Sequence, residues 1–269
     1  MRFELHCHST CSDGTEAPEQ VAARAAARKV EIFALTDHDT CAGSAVTVTG
    51  ARVLRAVELS CDDPETGRTI HVLAYDRGNP GWAELEGRLA SLGEARRNRL
   101  RVMAARLAQR GIRIDIEPLL AATGRSVGRP DLARAMIKAG AVTSMKEAFS
   151  RHLYDGGPVD VPHHALSLPH AVALGRAAGA ALGLAHPHLY DDHGVRLLRQ
   201  YHAQGLTGVE AFYGSYDPRE RARWIAVADE LGLVCTGGSD WHGPDDASVQ
   251  PGIDVPADRA ERLVEWLTA

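Results

Sequence analysis

In "ELHCHSTCSDG" (residues 4–14), His6 and His8 stand one residue apart, and Asp13 follows five residues later. On an extended chain, residues i and i+2 project to the same side. Both imidazoles can therefore reach one ion, while Cys7 between them points away and reads as a small buried residue. A pair of histidines does not make a site, so partners must come from elsewhere. The chain offers Asp37, His38 and Asp39 in "TDHD", Glu58 in "RVLRAVEL", His71 in "TIHVLAY" and His186 in "LAHPH". Glu210 in "LTGVEAF", and Asp240 with His242 in "GGSDWHG", complete the set. Imidazole and carboxylate without a cysteine cluster suit zinc, manganese or iron in open catalytic sites.

The elements must bring these residues together. Most of them sit in or at the end of short apolar, β-compatible runs at 2–6, 31–36, 52–59, 69–75, 180–186, 206–212 and 232–238. Amphipathic helical segments lie between several runs. "LPHAVALGRAAG", "GVRLLRQYHAQG" and "DPRERARWIAVADELG" close on Gly179, Gly205 and Gly232, the expected place for a left-handed C-cap. Asp217 before Pro218 makes a good N-cap and first-turn pair. Alternating strand and helix implies parallel strands with helices outside, as an open sheet or a barrel. In a barrel the C-terminal strand ends share one face, where active sites lie. The "TCAGSAVTVTGA" connection (40–51) is too rich in Gly and Thr for a full crossover helix, so that helix should be short or missing.

Residues from about 80 to 165 are strongly helical and lack comparable strand runs. They read as an all-helical insertion between the fourth and fifth strands, giving a barrel of 1–79 and 166–269 with a substrate-capping subdomain of 80–165. A histidine inside a strand, such as His71, is commonly a core residue, and "TDHD" alone could be a polar turn. The recurrence of such groups at nearly every strand end outweighs those readings. His152, His170, His193 and His202 fall in helices or loops and read as surface residues, whereas His163 and His164 are candidates for the pocket mouth.

At 269 residues, with 45% apolar and 24% charged residues, the chain suits one large α/β domain or a core domain with an insertion. Aromatics at 5% leave the core to Ala, Leu and Val. The formal charge of −5 argues against a surface that coats duplex DNA. Five cysteines without a CxxC pair fit reduced thiols in the cytoplasm. The N-terminus lacks a signal-peptide pattern, and no run reaches the roughly 18–20 apolar residues of a membrane span. These features predict a cytoplasmic protein with no membrane partner.

Taken together and in order, "HCHSTCSDG", "ALTDHDT", "AVELSC", "IHVLAY", "LAHPH" and "GGSDWHG" resemble the polymerase and histidinol phosphatase (PHP) family of metallohydrolases. "EARRNRLR" and "GRPDLARAMIKAGAV…EAFSRHL" resemble its branch of small bacterial nucleotide phosphoesterases, which dephosphorylate nucleoside 3′,5′-bisphosphates and trim short RNA from the 5′ end. The resemblance implies a distorted (β/α)7 barrel holding two to three divalent ions, with manganese, iron and zinc all compatible. By motif, His6, His8, Glu58 and Asp240 would surround one ion. Glu58 would bridge to a second with His71 and His186, and Asp13, His38 and His242 would complete the third. The chain departs from the branch at Asp131, where His is common, near Gly157, where Lys is common, and at His188, where Gly is common.

The expected chemistry is hydrolysis of a phosphomonoester by a metal-bridging hydroxide held by Glu58. The expected substrate is a small nucleotide such as a nucleoside 3′,5′-bisphosphate, or short 5′-phosphorylated RNA. Arg96, Arg99 and Arg129 are the candidate phosphate binders, because a guanidinium grips two phosphate oxygens at once. Arg129 also precedes Pro130 at a helix start, where free backbone N–H groups favour anions. Histidinol-phosphate phosphatase is the alternative; it shares the metal centre but not this insertion. The acidic charge counts against a proofreading exonuclease module. Dispersed, carboxylate-rich ligands count against a closed structural metal site.

Overall fold

The computed structural model describes residues 1–121, 125–161, 166–244 and 249–269; His163 and His164 lie outside them. A strand forms at each of the apolar runs: β1 (Arg2–Glu4), β2 (Ile32–Leu35), β3 (Arg52–Asp62), β4 (Thr69–Tyr75), β6 (Ala181–Leu184), β7 (Leu206–Tyr213) and β8 (Val234–Gly238), with β3 and β7 running past the ends of theirs. Two short strands join them, β5 (Leu166–Ser167) beside β3 and β9 (Ile253–Asp254) on the outer side of β1. The order is β8-β7-β6-β4-β3-β2-β1-β9. The sheet curls until its ends almost meet. Past β1, the Leu5 N–H donates to Gly237 O at 3.3 Å, Asp240 N–H to His6 O at 2.7 Å, and His8 N–H to Trp241 O at 2.8 Å. Glycine makes this seam possible, since a Cβ on Gly238 would lie 2.4 Å from the His6 backbone nitrogen. Glu4 ties the seam further by accepting the backbone N–H groups of His6, Ser239 and Gly252.

The result is the expected distorted α/β barrel, with one correction to strand direction. β4 runs antiparallel to both β3 and β6, whereas the β1–β2–β3 and β6–β7–β8 pairings are parallel. Residues 63–68 are too few for a crossover, which needs a dozen or more. They form a turn in which Gly67 takes φ 69° and the Asp63 and Arg68 backbones pair. Reversal puts the start of β4, with His71, at the rim where the neighbouring strands end.

Helices α1 (Pro18–Ala27), α6 (Leu168–Ala177), α7 (Asp191–Tyr201), α8 (Pro218–Leu231) and α9 (Ala257–Thr268) clad the sheet. Asp217 caps α8 by accepting the N–H groups of Arg219 and Glu220, as its place before Pro218 predicts. The 40–51 connection contains one 3₁₀ turn, Ala42–Ser44, in place of a crossover helix. Between β4 and β5 lie α2 (Trp82–Gln109), α3 (Glu117–Leu120), α4 (Arg129–Lys138) and α5 (Met145–Arg151).

The 28-residue α2 serves two cores along one stripe. Trp82, Leu85 and Leu89 join the barrel's apolar cluster, and Leu100, Met103 and Leu107 join a second cluster with Leu132, Met136 and Leu153. The polar stretch between them carries Arg96 and Arg99 past the barrel rim. No helix among the described residues is long and apolar enough to cross a membrane.

His193 is not a surface residue. It is buried on α7, 2.8 Å from Asp63 through Nε2 and 2.8 Å from the Arg196 guanidinium through Nδ1. The arginine can only donate, so Nδ1 accepts and Nε2–H donates to Asp63. This chain of bonds pins the 63–68 turn to α7, a contact between distant segments that local sequence does not reveal.

Candidate metal centre

Glu58, buried near the far end of β3, is the centre of the site. Its Oε2 lies 3.3 Å from His6 Nε2, 3.1 Å from His8 Nε2 and 3.1 Å from His38 Nδ1. Its Oε1 lies 3.0 Å from His71 Nδ1 and 3.1 Å from His186 Nε2. Asp240 Oδ1 faces His6 and His8 from the seam at 3.3 and 3.2 Å. Asp13 Oδ1 lies 3.3 Å from His242 Nε2 and 3.7 Å from His8 Nδ1, and its Oδ2 is 3.7 Å from His38 Nε2. Ligand atoms of His8, Asp13, His38 and His242 all fall within 4.8 Å of one another. The same holds for His6, His8 and Glu58, for His6, His186 and Asp240, and for His38, Glu58 and His71. The fold thus brings every expected metal-ligand residue to one place, with His6, His8, His38 and Glu58 each shared between two groups.

Among the described residues, the buried side-chain atoms without a hydrogen-bond partner include His6 Nε2, His8 Nε2, His38 Nδ1 and Glu58 Oε2. Each such atom costs about 1–3 kcal/mol when left unsatisfied. Here they converge on one point. Nitrogen and carboxylate donors aimed at a common centre are what a divalent cation satisfies, so the residues present fit that group.

The surrounding hydrogen bonds fix the direction of these donors. Glu210, buried on β7, lies 2.9 Å from His6 Nδ1 and accepts the His186 backbone N–H at 2.7 Å. With Nδ1–H committed to Glu210, His6 Nε2 is left with a lone pair facing the space shared with Glu58 and Asp240, where a cation could accept it. His242 Nδ1 is 2.8 Å from the Asp240 carbonyl, to which it donates, and this leaves the Nε2 lone pair beside Asp13 and free to ligate. The Tyr213 hydroxyl donates to Asp240 Oδ2 at 2.9 Å. Asp37 accepts from the Ser9 N–H and hydroxyl and from the Ser12 hydroxyl, shaping the loop that carries Asp13.

Glu210 was visible in the sequence as an acid amid apolar strand residues, but nothing local showed its partner. The roles of Tyr213 and Asp37 carried no local signal.

Charge follows from this crowding. Burial disfavours the charged form of His8, but the Asp240 and Glu58 carboxylates more than offset it and raise its pKa to about 10. Burial wins at His38, which falls to about 4. Glu58 and Asp240 are held well below the usual carboxylate range because the imidazoles outweigh their burial. Backbone strain gathers here too: Asp39, His186 and Asp240 take φ of 52°, 27° and 54°, which non-glycine residues adopt at a cost.

A cleft of about 860 Å³ opens from this cluster and runs beneath the helical insertion. Arg96, Arg99 and Arg129 all line it. None presents an unpaired guanidinium. Arg96 pairs with Asp39, Arg99 with Asp160 at 3.0 Å, and Arg129 with the exposed Asp155. Phe149 of α5 lines the cleft beneath the Arg129 guanidinium, at 5.9 Å. Asp131 is buried; it accepts the Gly128 N–H at 2.9 Å and pairs with Arg125.

This barrel with its rim of histidines and carboxylates belongs to a metal-dependent hydrolase, and the comparisons agree. Residues 4–151 match the PHP domain. The 3′,5′-nucleoside bisphosphate phosphatase of Chromobacterium violaceum is 34% identical over 255 residues, 90% of this chain and 87% of that protein. The phosphoribosyl 1,2-cyclic phosphate 1,2-diphosphodiesterase of Eggerthella lenta is 33% identical over 96% of this chain and its own full length. A metal-dependent phosphoesterase structure from Bifidobacterium adolescentis superposes with a TM-score of 0.81 at 27% identity, covering 98% of this chain and 96% of that one. The chain belongs to the PHP domain family and is a metal-dependent phosphoesterase.

Proposed function

We propose that the cluster holds two to three divalent ions, manganese, iron or zinc, and that the protein hydrolyses a phosphomonoester of a small nucleotide. The observation that carries this reading is the convergence of unpartnered, buried His6, His8, His38 and Glu58 atoms on one point. His6, His8, Glu58 and Asp240 would hold one ion, Glu58 with His71 and His186 a second, and Asp13, His38 and His242 a third. Such ions lower the pKa of bound water and offset charge on the transferring phosphoryl group. The protein's share is orientation. Glu58 offers one oxygen to each side of the cluster, and Glu210 keeps His6 in the tautomer that can ligate.

In this reading the helical insertion covers the substrate. Arg129 is the readiest phosphate binder, because its partner Asp155 is 84% exposed and such a pair is weak. Arg96 is tied to buried Asp39 and orders the rim, while Arg99 lies between. Phe149 offers a ring against which a base can stack. A nucleoside 3′,5′-bisphosphate or the end of a short RNA suits this cleft. Duplex DNA and membranes are not partners in this reading, and the unpaired thiols favour the cytoplasm.

A second reading rests on the full-length match to the cyclic phosphodiesterase. It assigns a cyclic phosphodiester of a phosphorylated sugar. The deciding experiment loads the protein with Mn2+, Fe2+ or Zn2+. It then compares adenosine 3′,5′-bisphosphate, AMP, short 5′-phosphorylated RNA, histidinol phosphate and phosphoribosyl 1,2-cyclic phosphate. Preferred release of phosphate from the bisphosphate is expected. Preference for the cyclic ester would replace the first reading with the second, and preference for histidinol phosphate would remove both.

A further inference from the structure

Side chains three apart on a regular strand face opposite sides, so Glu210 and Tyr213 should diverge. They do not, because β7 bulges. Glu210 pairs with Thr236, Phe212 with Gly237 and Tyr213 with Gly238, which leaves Ala211 as an extra residue. Bulges re-aim side chains and cluster beside active sites. Here the bulge delivers both residues to the same cluster, Glu210 to His6 Nδ1 and the Tyr213 hydroxyl to Asp240 Oδ2, each at 2.9 Å.

The direction of the Tyr213 phenol is itself held. Its ring packs against those of His188 and Tyr216, with centroids 5.0 and 5.1 Å away. The Tyr216 hydroxyl accepts the His188 backbone N–H at 3.2 Å and lies 3.0 Å from its Nδ1. With Oδ2 engaged, Asp240 turns Oδ1 to His6 and His8.

We infer that Tyr213 is a positioning residue: the β7 bulge turns its hydroxyl onto Asp240, so that this carboxylate meets the metal centre through Oδ1 alone. The inference rests on the metal-binding reading above and adds a residue that acts through a ligand.

The test titrates Co2+ into metal-free wild type, Tyr213→Phe, Asp240→Asn and the double variant, following the visible d–d spectrum and thermal melting. Tyr213→Phe is expected to bind Co2+ about 10–100-fold more weakly, with an altered spectrum and a metal-free melting temperature close to wild type. The double variant should bind no more weakly than Asp240→Asn. Equal affinity and spectrum in Tyr213→Phe, or losses that add in the double variant, would overturn the role. His188→Gly removes ring packing but keeps the hydroxyl. A loss no greater than that of Tyr213→Phe is expected, since the Tyr216 ring still holds the phenol, and a larger loss would assign the effect to packing and refute the hydrogen bond. Wild type that takes up no Co2+ would instead overturn the metal-site reading itself.

Discussion

At the scale of single residues, Glu58 and Glu210 perform different tasks with the same side chain. Glu58 offers its oxygens to His6, His8 and His38 on one side and to His71 and His186 on the other. Glu58→Gln preserves shape but removes the charge that several imidazoles face. It is expected to empty the centre, read as loss of bound metal by elemental analysis together with loss of phosphate release. Glu210→Gln leaves the cluster's donors in place but has one accepting oxygen for two partners, the His6 ring and the His186 backbone N–H. Metal affinity should fall about 10–100-fold, and activity should return when metal is added in excess. A Glu210→Gln protein that needs no extra metal would contradict the orienting role. The candidate ligand types were legible because histidine and carboxylate recur at strand ends. Glu210 was seen only as an acid in a strand, since its partner His6 lies at the other end of the chain.

Element boundaries and packing explain how side chains reach the cleft. The 63–68 turn is pinned by the buried Asp63–His193 bond. His193→Ala leaves the Asp63 carboxylate with one partner fewer, and a loss of about 1–3 kcal/mol is expected from a buried bond broken on one side. Chemical denaturation checks this value, and an unchanged midpoint would show that the turn does not depend on α7. On α5, Ser144 caps the helix and Glu147 accepts the Thr143 N–H and hydroxyl.

These bonds, with Arg151, lower the Glu147 pKa to about 2. A depressed folded-state pKa gives stability that is present above the unfolded value of 4.5 and is lost as pH falls towards 2. The gap in melting temperature between wild type and Glu147→Gln should therefore be full above pH 5 and close on acidification. A constant gap would show that the charge is irrelevant. Because α5 carries Phe149 into the cleft, the same substitution tests how firmly that wall is held. The strands themselves were legible from apolar runs. The direction of β4 was legible only in the shortness of the connection before it, because hairpin and crossover strands share the same apolar pattern.

For the whole molecule, the centre joins the two ends of the chain, with His6 and His8 beside β1 and Asp240 and His242 beyond β8. Metal bound there would link the seam, and a ligand that binds only the folded state stabilises it. Removing metal with a chelator should lower the melting temperature and abolish phosphate release, and Mn2+, Fe2+ or Zn2+ should restore both. An unchanged melting temperature on chelation would show that the seam is held by protein contacts alone. The insertion builds its own apolar cluster on the far half of α2 and is tied to the barrel by further bonds, with the Ser126 N–H donating to Cys11 O at 2.8 Å and Arg125 to Ser12 O at 3.2 Å.

The sequence by itself determined the residue types, the His-x-His projection, the strand runs and the helical character of 80–165, because these depend on local periodicity and composition. Tertiary structure alone decided the closure at Gly238, the burial of His193 and the pairing of Arg96, Arg99 and Arg129 with carboxylates. Those features depend on which distant segments share a hydrogen bond or exclude water from one another, and no local pattern encodes that. The bulge at Ala211 belongs with them: it is a property of how β7 meets β8, and it decides which way Tyr213 points.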